Sequence, residues 1–150
     1  MGETIEHHPI RQYTVFPKDL NKWAEVCSHI VAHYNKGWAN GFHYNIRYWE
    51  IWNEPEVADC FEGTEEELFM MYDAAAKAIK RDHPEVKVGG LAFCVPLSDE
   101  IFGHFLIHVK ETGVPLDFIS WHNYAYCMDQ VVKTLGTVED MLDKYGFDNI

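Results

Sequence analysis

The sequence predicts an α/β fold with a parallel sheet, and more narrowly about half of a (β/α)8 TIM barrel. Three observations carry that expectation. Helical and extended stretches alternate strictly, in the order α-β-α-β-α-β-α with a short stub at the end. The links between them are short, which favours βαβ units with parallel strands. The length of 150 residues suits one domain, whereas a closed barrel takes about 250. An open doubly wound sheet fits the same alternation, but the sequence has no glycine-rich phosphate loop to favour it. Half a barrel leaves strand edges unpaired, so self-association through those edges is expected.

Each element has its own signals. The segment ahead of Pro17 is rich in His, Pro and aromatic residues and reads as the tail of a strand-to-helix loop. A helix is predicted from near Asp19, with Leu20, Trp23, Val26, Cys27, Ile30, Val31 and Tyr34 at helical spacing and Lys36-Gly37 as its end. Tyr44 to Trp52 follows as a strand. After a loop, Thr64-Glu65-Glu66-Glu67 spells a capping box, in which Thr64 and Glu67 satisfy each other's backbone amides. The helix it opens puts Leu68, Tyr72, Ala75, Ala76 and Ile79 on one face, and His83-Pro84 closes it. Val86 to Leu91 is a short strand, with Gly89-Gly90 as a tight-packing position. Ile101 to Val109 is helical and stops near Gly113; Leu116 to Trp121 is another strand. A last helical stretch between Asp129 and Tyr145 is interrupted or restarted at Gly136-Thr137 and ended by Gly146. Phe147-Asp148-Asn149-Ile150 reads as the lead-in to a further strand.

Composition excludes several function classes. A net charge of −12 argues against nucleic acid and anionic membrane as partners. No apolar run approaches the roughly 20 residues of a membrane-spanning helix. The start, Met1-Gly2-Glu3-Thr4-Ile5-Glu6, lacks the basic and apolar regions of a signal peptide. An aromatic share of 15% is high, which suits stacking on sugar rings as well as plain cores. Cysteines at 27, 60, 94 and 127 recur at the interval of one βα unit, so Cys60, Cys94 and Cys127 are candidates to crowd onto one face. Free thiols are expected there rather than a disulfide or metal site, and with no signal peptide they favour a cytoplasmic setting. His29 and His33 stand at i, i+4 and His7-His8 are adjacent, but no Glu follows His29 as in the zinc proteases. No metal and no cofactor are assigned.

The chemistry concentrates in Tyr48-Trp49-Glu50-Ile51-Trp52-Asn53-Glu54-Pro55-Glu56. In an extended strand Tyr48, Glu50, Trp52 and Glu54 share a face. Glu50 and Glu54 are then about 13 Å apart at about 3.3 Å per residue. Retaining glycosidases hold two carboxyls about 5 Å apart and inverting ones about 6.5–9.5 Å, so Glu50 is no catalytic partner for Glu54. Glu50 is expected inside the barrel, ion-paired with a basic residue of a neighbouring strand. Glu54 stands at the C-terminal strand end, where barrel active sites are built. Flanking by Trp52 and other aromatics is expected to desolvate it and raise its pKa toward that of a general acid. Asn53 offers a donor and an acceptor to a sugar hydroxyl. A plain turn would also use Asn and Pro.

Taken together the motifs resemble family 39 of the glycoside hydrolases, the β-xylosidase and α-L-iduronidase group of retaining (β/α)8 enzymes. The matching stretches are Phe16-Pro17-Lys18-Asp19 before Lys22-Trp23, Trp49 to Pro55, Gly63 to Glu67, Tyr72 to Lys80, Lys87-Val88-Gly89-Gly90, and Phe118 to Tyr124. They run in family order from about residue 16 to about residue 146. The resemblance implies that residues 1–150 hold the barrel from about the third-strand loop to the start of the seventh strand. It implies Glu54 as the general acid/base at the end of the fourth strand and Asn53 as a ligand of the sugar 2-hydroxyl. His122 and Tyr124, ending the sixth strand on one face, would line the sugar site; packed side chains are the other reading of both.

The family nucleophile, a Glu ending the seventh strand, would lie beyond Ile150, after a lead-in that matches Asp143 to Phe147. Glu56, Asp59 and Glu62 sit in the loop after Glu54, and Asp129 follows the sixth strand; none is a persuasive substitute. A carbohydrate substrate and retaining hydrolysis are therefore expected of the full-length enzyme, and little or no activity of this chain alone. An endo-acting β-glycanase of the same clan and a non-catalytic carbohydrate-binding or scaffold remnant are the rival readings.

Overall fold

In the computed structural model residues 14–94, 100–124, 127–147 and 150 are described. His7-His8, most of the segment ahead of Pro17, and Asp148-Asn149 of the predicted lead-in lie outside them. The elements are α1 (Leu20–Lys36), β1 (Tyr48–Ile51), α2 (Glu65–Asp82), β2 (Lys87–Phe93), α3 (Ile101–Thr112), β3 (Phe118–Trp121) and α4 (Met128–Tyr145). The strands form a parallel sheet in the order β1-β2-β3, as alternation with helices requires.

Local chemistry sets the helix ends. Asp19 Oδ1 accepts from the Asn21 and Lys22 amides at 3.1 Å each, satisfying two of the orphan donors at the start of α1. At α2 the capping box closes in both directions: the Glu67 amide donates to Thr64 Oγ1 at 3.2 Å, and the Thr64 amide to Glu67 Oε2 at 2.9 Å. Gly37, Gly113 and Gly146 end α1, α3 and α4 in left-handed conformations.

The core forms where α2 crosses the sheet. Leu68, Tyr72, Ala75, Ala76 and Ile79 of α2 meet Val88, Leu91 and Phe93 of β2 and Phe102, Phe105 and Leu106 of α3. Tyr72 is fully buried among them and its hydroxyl donates to the Pro115 carbonyl at 2.8 Å, so the polar tip is satisfied.

The structure corrects four expectations. First, β1 is shorter than Tyr44–Trp52, because Asn45 takes a φ of 54° and the Asn35 side chain claims both the amide and the carbonyl of Ile46 at 2.8 Å. Second, α4 runs unbroken through Gly136, which faces open space and so lowers helix propensity without ending the helix. Third, the apolar face of α1 divides. Leu20, Trp23, Cys27 and Val31 pack on the core, while Val26, Ile30 and Tyr34 stay 51%, 43% and 38% exposed. Fourth, Glu50 is exposed and makes no ion pair among the described residues. Among the described strands only β2 flanks β1, and its Lys87 pairs with Asp117 instead.

Gly89 shows how closely the strands fit. A Cβ there would stand 2.1 Å from the Phe118 carbonyl oxygen and 2.8 Å from its ring. Gly89→Ala is expected to force β2 and β3 apart at a cost of about 1–3 kcal/mol. Urea unfolding measures it, and an unchanged midpoint would contradict the packing.

Candidate active site

The site grows from the C-terminal ends of the strands, which three backbone contacts tie together. The Glu54 amide donates to the Ala92 carbonyl at 3.0 Å, and the His122 amide to the Phe93 carbonyl at 2.7 Å. The Ala92 amide in turn donates to Ser120 Oγ at 3.1 Å. Trp52, Glu54 and Ala92 take φ values of 72°, 46° and 50°, in the left-handed region that side-chain-bearing residues seldom occupy. Each costs about 1 kcal/mol or more, and three such residues at adjoining strand ends are held there by the surrounding contacts.

The turn at Trp52 ends the alternation of β1. Its indole does not flank Glu54 but packs edge-on between Trp23, at 6.0 Å, and Phe61, at 5.5 Å. The expectation that Trp52 shares the face of Glu54 is thereby corrected. The indole nitrogen is buried with no acceptor among the described residues.

Glu54 meets His122 and Tyr124 instead. His122 Nδ1 donates to Glu54 Oε1, and the Tyr124 hydroxyl donates to the same oxygen at 3.0 Å. A carboxylate only accepts, so the Nδ1 nitrogen of His122 carries the hydrogen. The Glu54 side chain is 15% exposed, that of His122 38%, and Tyr124 stands open at 70%.

These donors decide the electrostatics. The bond from His122 holds the Glu54 carboxyl below the ordinary carboxylate range, against the upward push of partial burial and with help from Tyr124, the His122 charge and Cys94. That reverses the expected upward shift. Desolvation operates, but the hydrogen bonds to the ionised form outweigh it. Tyr124 moves the other way, since its bond to Glu54 and the nearby carboxylate charge favour the phenol.

The remaining candidates separate. Asn53 is exposed beside Glu54, and its amide nitrogen lies 4.0 Å from Cys60 Sγ. Asp59 and Glu62 are exposed in the loop, and Asp129 is exposed in the first turn of α4. Glu56 is not simply solvated: its Oε1 accepts from the Cys94 amide at 2.5 Å. Of the three cysteines spaced one βα unit apart, Cys60 lies near enough to Cys94 to add slightly to the rise of its thiol pKa, after burial, Glu54 and Glu56. Cys127 is the exposed N-cap residue of α4, and its side chain makes no capping bond. Cys94 and Glu56 were not legible as site residues; the 33–34-residue cysteine interval was the one signal pointing to Cys94. All four thiols are free. His29 stacks on Trp38 at 4.3 Å, and His33 Nδ1 contacts the Trp38 carbonyl at 3.0 Å. No helix of the described residues is long and apolar enough to cross a membrane.

Comparison with known proteins fits this architecture. The profile of Glycosyl hydrolases family 39 matches residues 10–146. The chain is 37% identical to a β-xylosidase of Geobacillus stearothermophilus over 112 residues, 73% of this chain and 21% of that protein. It is 34% identical to a β-xylosidase of Caldicellulosiruptor saccharolyticus over 135 residues, 85% of this chain and 25% of that protein. Among solved structures, a glucosidase from Croceicoccus marinus matches with a TM-score of 0.85 and 37% identity, over 92% of this chain and 30% of that one. A GH39 β-xylosidase from Caulobacter crescentus matches with a TM-score of 0.69 and 28% identity, over 87% of this chain and 28% of that one. The chain thus spans less than a third of each relative, and its parallel α/β layers are part of a TIM barrel. With a profile match from residue 10 to residue 146 and agreement in backbone and sequence alike, the chain belongs to family 39 of the glycosyl hydrolases.

Proposed function

We propose that this chain carries the acid/base half of a retaining, β-xylosidase-like glycoside hydrolase, with Glu54 as the proton donor and acceptor. In the first step Glu54, protonated, gives its proton to the glycosidic oxygen while a carboxylate from outside the described residues attacks the anomeric carbon. In the second, ionised Glu54 takes a proton from water as that water releases the sugar. Asn53, exposed beside it, binds the 2-hydroxyl of the sugar; His122 and Tyr124 hold Glu54 and line the sugar site. By itself the 150-residue chain turns over no glycoside, since Glu54 lacks a partner carboxylate and most of the walls that position substrate.

The observation that carries this reading is Glu54 at the strand ends, gripped on one oxygen by His122 and Tyr124. Its lowered pKa suits the second step directly, because a carboxylate that stays ionised is ready to act as base. The first step needs the proton retained. A retaining enzyme places the nucleophile about 5 Å away, and that like charge pushes the Glu54 pKa up. Once the nucleophile is spent in the covalent bond its charge is gone, and His122 and Tyr124 pull Glu54 back down. The two influences alternate in the order that the two steps require.

The test is a ¹³C NMR titration of the Glu54 side-chain carboxyl. In the chain alone it is expected below the ordinary glutamate range, and in His122→Phe it is expected to rise. The linkage sign follows. Because folding lowers this pKa, Glu54 contributes stability above the unfolded carboxylate range, and that stability is lost as pH falls through the folded value. In His122→Phe this contribution shrinks. An unchanged Glu54 titration in that variant would contradict the assignment of His122.

A further inference from the structure

The ladder between β2 and β3 slips once. Gly89 stands opposite Phe118 and Gly90 opposite Ile119, but Phe93 stands opposite Trp121. Two residues of β2, Leu91 and Ala92, therefore face one residue of β3, Ser120, which is the count of a β-bulge. A bulge interrupts the ladder and leaves backbone groups to be satisfied in some other way. Here it is the Ala92 amide, on a residue only 1% exposed, and Ser120 Oγ accepts from it at 3.1 Å. Ala92 takes the left-handed φ of 50°, with its amide turned to β3 and its carbonyl turned to the end of β1, where the Glu54 amide donates to it at 3.0 Å. Past the bulge the His122 amide donates to the Phe93 carbonyl at 2.7 Å. Glu54 and His122, whose side chains meet, are thus held by the two consecutive residues that end β2.

We infer that Ser120 is a positioning residue for the Glu54–His122 pair: its hydroxyl pins the bulge of β2 on which both backbones are held. The inference deepens the acid/base reading of Glu54 and rests on it for its consequence in catalysis. Without that oxygen the Ala92 amide becomes a buried donor with no acceptor, which is a costly state. Closing the bulge would restore a ladder partner, and the slip would set His122 in place of Trp121 against Phe93. A slip of one residue exchanges the faces of a strand, so the His122 ring would no longer be aimed at Glu54. A smaller relaxation, turning the Ala92 carbonyl away from the Glu54 amide, loosens the same pair from the other side. Ser120 is uncharged, so replacing it leaves the titratable neighbours of Glu54, namely His122, Tyr124 and Cys94, unchanged in number and charge. Any shift in Glu54 then reports their placement.

The test titrates Glu54 by ¹³C carboxyl NMR in the 150-residue chain, with Ser120→Thr and Ser120→Val as a near-isosteric pair. Threonine keeps an acceptor for the Ala92 amide and valine does not. Glu54 is expected to titrate in Ser120→Thr as in the unaltered chain. In Ser120→Val it is expected to titrate higher, toward the ordinary glutamate range, because the His122 bond that holds it down is misaligned. In a His122→Phe background the same Ser120→Val change is expected to move Glu54 less, since the main donor is already gone. A merely structural serine would lower the urea midpoint in Ser120→Val and leave Glu54 where it was. That result, equal Glu54 midpoints in the two Ser120 variants, or an undiminished shift in the His122→Phe background would overturn the inference. The unaltered chain gives a second reading that needs no variant to fold. Its Ala92 amide is expected to exchange with deuterium as slowly as the ladder amides of β2, and exchange at the rate of an unfolded chain would remove the Ser120 anchor. These readouts record ionisation and exchange and not turnover, so they succeed or fail separately from the assignment of Glu54 as acid/base.

Discussion

Glu54→Gln, made in the longest reading frame that contains these 150 residues, is expected to lower kcat on glycosides with poor leaving groups by about 100- to 10,000-fold. That range corresponds to about 3–5 kcal/mol of transition-state stabilisation. Glutamine keeps the shape and still accepts from His122 and Tyr124, so the backbone contacts at Ala92 and Phe93 are retained. What it loses is the transferable proton. Aryl glycosides with acidic leaving groups need little protonation, so their first step is expected to survive and the covalent intermediate to accumulate. Steady-state kinetics across a leaving-group series checks both halves. A loss of similar size in kcat/KM for every leaving group would point to a binding role and away from proton transfer.

Phe105→Ala is expected to remove a large share of the stability of the fold. Phe105 is fully buried in α3 and meets Tyr72 edge-on at 4.9 Å, Phe69 at 5.7 Å and Phe93 at 6.1 Å. Truncating such a residue costs about 3–5 kcal/mol, from lost burial and the cavity left behind. Domains of this size hold only about 5–15 kcal/mol in total. The damage also reaches the site, because Phe93 supplies the carbonyl that fixes His122. Urea unfolding followed by tryptophan fluorescence measures it, and a loss under about 1 kcal/mol would contradict the position of Phe105 at the centre of the core.

How far the sequence reached depended on whether the cause was local. The caps at Asp19 and Thr64 and the stops at Gly37, Gly113 and Gly146 are set by a few neighbouring residues, and each was legible. Glu54, His122 and Tyr124 were legible as candidates from their motifs and strand-end parity. Their common hydrogen bond is a contact between β1 and β3 that no local pattern encodes. The same holds for the direction of the Glu54 shift: the neighbouring Trp suggested desolvation, but the left-handed turn took Trp52 away and the fold supplied donors instead. Glu56 looked like a solvated loop acid because its partner, the Cys94 amide, lies 38 residues further along the chain. The divided face of α1 was hidden for a related reason. Helical spacing shows which side is apolar but not how much of that side a neighbouring layer covers.

The most direct test of Glu54 as acid/base is the stereochemistry of azide rescue in a Glu54→Ala variant of the same reading frame. Azide needs no general base, so it attacks the covalent glycosyl intermediate from the face that the leaving group vacated. Restored turnover of an activated aryl xyloside, with a xylosyl azide of the same anomeric configuration as the substrate, is the predicted result. An azide product of inverted configuration would make Glu54 the nucleophile, and a variant that hydrolyses all substrates as fast as the unaltered enzyme would remove Glu54 from the chemistry.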